Sequence, residues 1–81
     1  MKDILIENYG ESSELLFADG LDQAIIGICP ISYRVVYSRS KVIDCLMLED
    51  LSYEDAIEHA EFNIFNSYVG ELTPIWIDDL L

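Results

Sequence analysis

His59, the one histidine of the chain, is followed by Asn63 and Asn66, a spacing of i, i+4 and i+7 that places all three on one wedge of an α-helix. An imidazole in line with two carboxamides is a hydrogen-bonding strip suited to a partner's backbone or a polar ligand. The reading that these residue types favour is a polar seam, satisfied by neighbouring backbone or by a loop crossing the helix. No serine or cysteine stands beside His59 in the local sequence, so the residues do not spell a nucleophile–base pair. Phe62, Phe65 and Val69 form an apolar stripe flanking the wedge. Those six residues are the candidate interaction surface.

Other chemistry-bearing groups have simpler explanations. Asp19 and Asp22 flank Gly20 as in a metal loop, but the remaining oxygen ligands of a calcium loop are missing, and turn chemistry accounts for them. Glu54, Glu58 and Glu61 fall on one helical face, which is ordinarily a solvated face. Tyr33, Tyr37 and Trp76 could stack on bases, but without surrounding basic residues they read as core or interface. Cys29 and Cys45 lack metal-type spacing and read as small buried side chains. There is no Gly-rich phosphate loop, no G-x-S-x-G and no H-E-x-x-H, so no cofactor or metal is expected and the chain does not read as an enzyme.

The helix that carries the wedge is well punctuated. Ser52 is a good N-cap, with Glu54 and Asp55 in the first turn, although the capping-box position holds Asp rather than Glu. Tyr53, Ala56, Ile57, Ala60, Ile64 and Tyr68 make its buried stripe, Gly70 is the expected left-handed stop, and Pro74 prevents resumption. Upstream, residues 15–18, Asp19-Gly20 and residues 23–29 read as strand, turn and strand, with a helical turn at 21–24 capped by Asp19 as the competing reading. Residues 25–28 are apolar on both faces, as in a central strand, with Gly27 marking either a bulge or the close approach of another backbone and Pro30 ending the element. Residues 33–37 make a strand rich in β-branched and aromatic side chains. Ser38 or Ser40 then caps a helix to residue 50 that buries Val42, Ile43, Cys45 and Leu46, and residues 74–77 make the last strand.

The expected fold is therefore a single α+β domain over residues 1–81: a small, mostly antiparallel sheet with two consecutive helices on one face. Its core spans residues 15–77. Residues 1–14 read as an edge strand through Ile4, Leu5 and Ile6 or as loose chain, and residues 78–81 as an acidic tail.

Composition narrows the functions. Sixteen acids against four bases give a net charge of −12, which opposes direct nucleic-acid binding because phosphate contacts need Lys and Arg. A composition 52% hydrophobic is rich for 81 residues and suggests apolar surface shared with a partner or with a second copy in a homodimer. No signal-like N-terminus or membrane-length apolar run is present, so a cytoplasmic location without membrane association is expected.

Asp19-Gly20-Leu21-Asp22-Gln23-Ala24-Ile25-Ile26-Gly27, Tyr37-Ser38-Arg39-Ser40-Lys41-Val42-Ile43 and Ser52-Tyr53-Glu54-Asp55-Ala56, with Glu61-Phe62-Asn63 and Tyr68-Val69-Gly70-Glu71-Leu72-Thr73-Pro74, resemble a family of small phage and bacterial proteins of unknown function. The chain departs from that pattern at Leu21, where an aromatic is usual, and at Tyr37-Ser38-Arg39-Ser40-Lys41-Val42, where a Tyr-Asp-x-Asp-Lys-Cys segment is common. The resemblance implies a phage or bacterial origin and a shared fold, and carries no catalytic residue across. With the acidic surface and the missing catalytic motifs, it points to a non-enzymatic accessory protein that binds another protein, a host one included. The alternatives are an acidic mimic of nucleic-acid phosphates that blocks a DNA- or RNA-handling enzyme and, third, a small enzyme with a pocket around His59, Asn63 and Tyr68.

Overall fold

The computed structural model describes residues 2–9, 15–18 and 20–79. Within them the order is helix α1 (Lys2–Tyr9), a single 3-10 turn (Asp22–Ala24), strands β1 (Ile25–Ile28) and β2 (Val35–Ser38), helices α2 (Arg39–Met47) and α3 (Tyr53–Asn63), and strand β3 (Ile75–Ile77). The α+β class is as the sequence indicates. The sheet has the order β1-β2-β3 and is mixed: β1 pairs antiparallel with β2, and β3 pairs parallel with it. The parallel pairing follows from the connection, because a crossover carrying two helices is long enough to return the chain in the same direction.

The N-terminal segment is a helix rather than an edge strand. A strand through Ile4, Leu5 and Ile6 would turn two of the three side chains to one face. The helix instead buries only Leu5, leaving Ile4 58% and Ile6 49% exposed. Residues 10–14 of the expected loop lie outside the described residues. Residues 15–18 form no strand either. They lie extended beside the core, held where Ala18 N–H donates to the Tyr37 hydroxyl at 2.7 Å. Asp19 lies outside the described residues. Gly20, at φ +78°, leads into the 3-10 turn, so the helical reading of 21–24 replaces the hairpin. One helical turn brings Leu21 and Ala24, three residues apart, into the core together.

β1 is an edge strand, not a central one, and the bulge expected at Gly27 is present as a register shift between Ile25 and Gly27. The central strand is β2, whose Val35, Tyr37 and Ser38 are fully buried. It starts later than its sequence suggests because Tyr33 sits at φ 58° in the connecting turn. Ser38 caps α2, its hydroxyl accepting from Lys41 N–H at 3.3 Å, and α2 buries Val42, Ile43 and Leu46 while Cys45 is half-buried. The helix ends at Met47, three residues before the expected limit.

Ser52 caps α3 as the sequence requires, accepting from Asp55 N–H at 3.2 Å, and Ala56 and Ala60 are fully buried. The main correction is at its other end. The helix stops at Asn63 and not at Val69. Its last carbonyls are taken by side chains: Asn66 Nδ2 donates to Glu61 O at 2.6 Å, and Ser67 Oγ to Ile64 O at 2.8 Å. Amide and hydroxyl groups that satisfy helix-terminal carbonyls remove the reason for the backbone to continue. Gly70 does have a positive φ, +115°, but serves a later turn in which Thr73 Oγ1 donates to Gly70 O at 2.6 Å and accepts from Val69 N–H at 2.9 Å.

That turn delivers the chain into β3. Arg34 holds the entry, donating through Nε to Thr73 O and through Nη2 to Pro74 O at 3.5 Å. Beyond β3, the Asp79 carboxylate accepts from the Ser38 hydroxyl, and Arg39 pairs with Asp78 at 3.2 Å. The Ser38 hydrogen bond holds the Asp79 carboxyl below its ordinary value. The expected acidic tail is thus a clasp across the start of α2, as far as Asp79.

Tyr37 carries a testable consequence. Phenylalanine in its place keeps the ring but leaves Ala18 N–H without its acceptor, which costs about 1–2 kcal/mol. Urea unfolding of Tyr37→Phe should show a lower midpoint with an unchanged slope, and a midpoint equal to wild type would remove this bond from the account.

An apolar cleft at the end of α3

The early end of α3 shapes an apolar concavity. After Asn63 the chain turns instead of continuing as helix, so Ile64, Ser67 and Val69 fold alongside the helix end. Opposite them runs the extended segment with Leu16, Phe17, Ala18, Gly20 and Leu21. Leu46 and Glu49 close one side from α2 and the turn after it, and Pro74 with Trp76 forms the base. The cleft is open and has a volume of about 430 Å³, within the ~300–1,000 Å³ range of ligand pockets.

His59 and Asn63 supply polar character to this cleft. They are one helical turn apart, and Asn63 Nδ2 lies 3.4 Å from His59 Nδ1. With Nδ1 accepting, the imidazole proton is on Nε2, and the pair presents an N–H donor beside the Asn63 carbonyl acceptor. A donor next to an acceptor is complementary to the edge of an amide. Ser67 also lines the cleft, but its hydroxyl donates to Ile64 O. Among the described residues the His59 ring hydrogen-bonds Asn63 and no serine or cysteine.

Of the six residues singled out in the sequence, the structure brings His59, Asn63 and Val69 to this cleft. Asn66 is spent on Glu61 O. Phe65 is half-buried against Trp76, with ring centroids 5.5 Å apart, and the Arg39 guanidinium sits over its ring at 4.7 Å. Phe62 is 76% exposed on the outer side of α3. Tyr68, grouped with His59 and Asn63 in the enzyme reading, lines not the cleft but an adjoining depression with Arg34, Phe65 and Asn66, which shares Ser67, Pro74 and Trp76 with it. The i, i+4, i+7 wedge fails beyond Asn63 because the helix that would align it has ended. The other cleft walls, Leu16, Phe17, Leu46 and Trp76, carried no local signal of a site. They meet only through the parallel β2–β3 pairing and the packing of α2 on α3.

A second feature lies in the turn joining β1 to β2. Cys29 N–H donates to Arg34 O at 2.9 Å, and Tyr33 N–H to Cys29 O at 2.8 Å. The Ser32 hydroxyl, buried and otherwise unpartnered, is the leading influence that lowers the Cys29 thiol pKa, followed by backbone N–H groups of Ser32 and Ile31. Cys45 goes the other way, because burial and then the Asp44 and Glu49 carboxylates disfavour its thiolate. Among the described residues there is no cluster of three metal-ligating side chains, and no helix is long and apolar enough to cross a membrane.

Fold and cleft together define a small α+β domain with an apolar recess and a polar pair at its edge. No family model, curated protein or solved structure matches the chain.

The two cysteines give a direct check. A lowered thiol pKa leaves more thiolate at a given pH, and the thiolate is the reacting species. Iodoacetamide at neutral pH should alkylate Cys29 well before Cys45; both rates should fall as pH is lowered, with the Cys29 transition lying at a lower pH than that of Cys45, and Ser32→Ala should slow Cys29. Peptide-resolved mass spectrometry reads both sites, and equal rates at the two cysteines would contradict this assignment.

Proposed function

We propose that the protein is a small, non-enzymatic binding module that uses the cleft at the end of α3 to hold an apolar segment of another protein. The observation that carries this is the apolar recess of about 430 Å³ with Val69, 61% exposed, at its border. Apolar side chains left in water beside a formed concavity are a common mark of an interface. The His59–Asn63 donor and acceptor suit a peptide group of the bound segment. Resemblance to small phage and bacterial proteins supports an accessory role in which that partner is a host protein.

The acidic-mimic reading is weaker. Exposed carboxylates stand on α1, α2, α3 and the turns between them, Asp3, Asp22, Asp44, Glu54, Glu61 and Glu71 among them, rather than along one strip in step with a phosphate backbone. The enzyme reading loses Tyr68 from its pocket and gains no serine or cysteine hydrogen-bonded to His59 among the described residues.

Val69 is the position to test, since its side chain is exposed and its substitution leaves the core untouched. Affinity capture with wild type and Val69→Asp at low and high salt separates an apolar interface from diffuse acidity. A partner retained by wild type at high salt should be lost from Val69→Asp, a change of about ten-fold or more for a buried contact turned charged. Identical capture by both proteins would refute the cleft as the binding surface.

A further inference from the structure

The cleft, with depressions that share its lining residues, forms the candidate groove. At one side it adjoins a depression of about 290 Å³ that shares Gly20 and Glu49 with it and adds Asp22, Cys45 and Leu48. At the other it adjoins a depression of about 500 Å³ that shares Leu16 and Val69 and adds Glu71 and Leu72. The central cleft is the apolar part, and Leu48 and Val69, on the lining of its neighbours, are 77% and 61% exposed. Exposed carboxylates stand on both sides, Glu49 on one and Glu71 on the other. Among the described residues no lysine or arginine lines these three parts, while a further depression that shares Ser67, Pro74 and Trp76 with the cleft is lined by Arg34. Arg34 is committed to Thr73 and Pro74 carbonyls, and Arg39 to Asp78 and the Phe65 ring.

From this arrangement we infer that the groove takes a protein segment with an apolar centre and basic residues on both flanks. The inference rests on the binding-module reading above and specifies the partner's chemistry. An apolar centre fills the recess over Trp76. Lysine or arginine on either side meets Glu49 on one side and Glu71 on the other, in a field that a net charge of −12 makes attractive to cations over a longer range. The same field opposes two other occupants. An acidic segment is repelled from both ends, and a second copy of the chain brings a further −12 to the contact.

A display library of random peptides about twelve residues long tests this, since such peptides extend to ~40 Å at ~3.3 Å per residue and so present a centre and two flanks. Panned on the folded full-length protein, the library should enrich sequences with a central apolar run and Lys or Arg on both sides. Enriched peptides should lose binding to Val69→Asp, and the double variant Glu49→Gln, Glu71→Gln should weaken them by roughly five-fold, the scale of exposed ion pairs. Enriched peptides that need Val69 but show no basic preference, or are indifferent to Glu49 and Glu71, would overturn this inference and leave the binding-module reading standing. Absence of enrichment, or binding undiminished by Val69→Asp, would overturn both. Sedimentation showing a dimer of the wild type that Val69→Asp dissociates would also overturn it, by assigning the groove to a second copy.

Discussion

Tyr37 is the point on which the rest of the molecule hangs. It sits fully buried in the central strand, opposite Ile25 across the antiparallel ladder and opposite Trp76 across the parallel one. Its ring packs on Trp76 at 4.8 Å, and its hydroxyl holds Ala18 N–H. One side chain thereby fixes both edges of the sheet and an otherwise irregular segment. A buried tyrosine is well suited to this, because its ring supplies apolar area and its hydroxyl reaches a backbone group that would be costly to leave unpaired.

The cleft follows from the same contacts. Ala18 and Trp76, both tied to Tyr37, face the end of α3, and the recess is the space between them and the helix terminus. Its other boundary is set by Asn66 and Ser67, whose side chains end the helix and turn the chain back at Val69. A helix running to residue 69 would have carried Val69 and Ser67 away on its own axis. The early stop therefore trades a longer helix for a concave surface. With few residues to build a core, a chain of this size leaves much apolar surface to be placed somewhere. Here part of it lines the groove.

Electrostatics add a second layer. The few cations are largely used internally: Arg34 on the carbonyls that precede β3, Arg39 on Asp78 and Phe65. The exposed surface is left strongly negative. The clasp of Asp79 on Ser38 uses one carboxylate structurally, placing the end of β3 against the start of α2. Most of the others remain in water, where they set the charge of whatever approaches.

Local chemistry was legible wherever a residue type acts on its own backbone. Ser38 and Ser52 read as caps and are caps, Gly27 reads as a bulge and is one, and Gly20 and Gly70 take positive φ. The alanines of α3 fell on the buried stripe because helical periodicity needs only the sequence to state it. The end of α3 was misread because Asn66 and Ser67 compete with the helix through side-chain bonds that are about as strong as the backbone bonds they replace. No periodicity records that contest. The N-terminal helix escaped for a related reason: three consecutive aliphatics fit either a strand or a helix, and burial of Leu5 against the rest of the core decided between them. Caps, bulge, stripe and charge were determined by the sequence itself, since each is a property of neighbours along the chain. The parallel placement of β3, the position of residues 15–18 and the groove with its acidic ends were decided only in three dimensions, because each depends on which distant side chains find Tyr37 and Trp76.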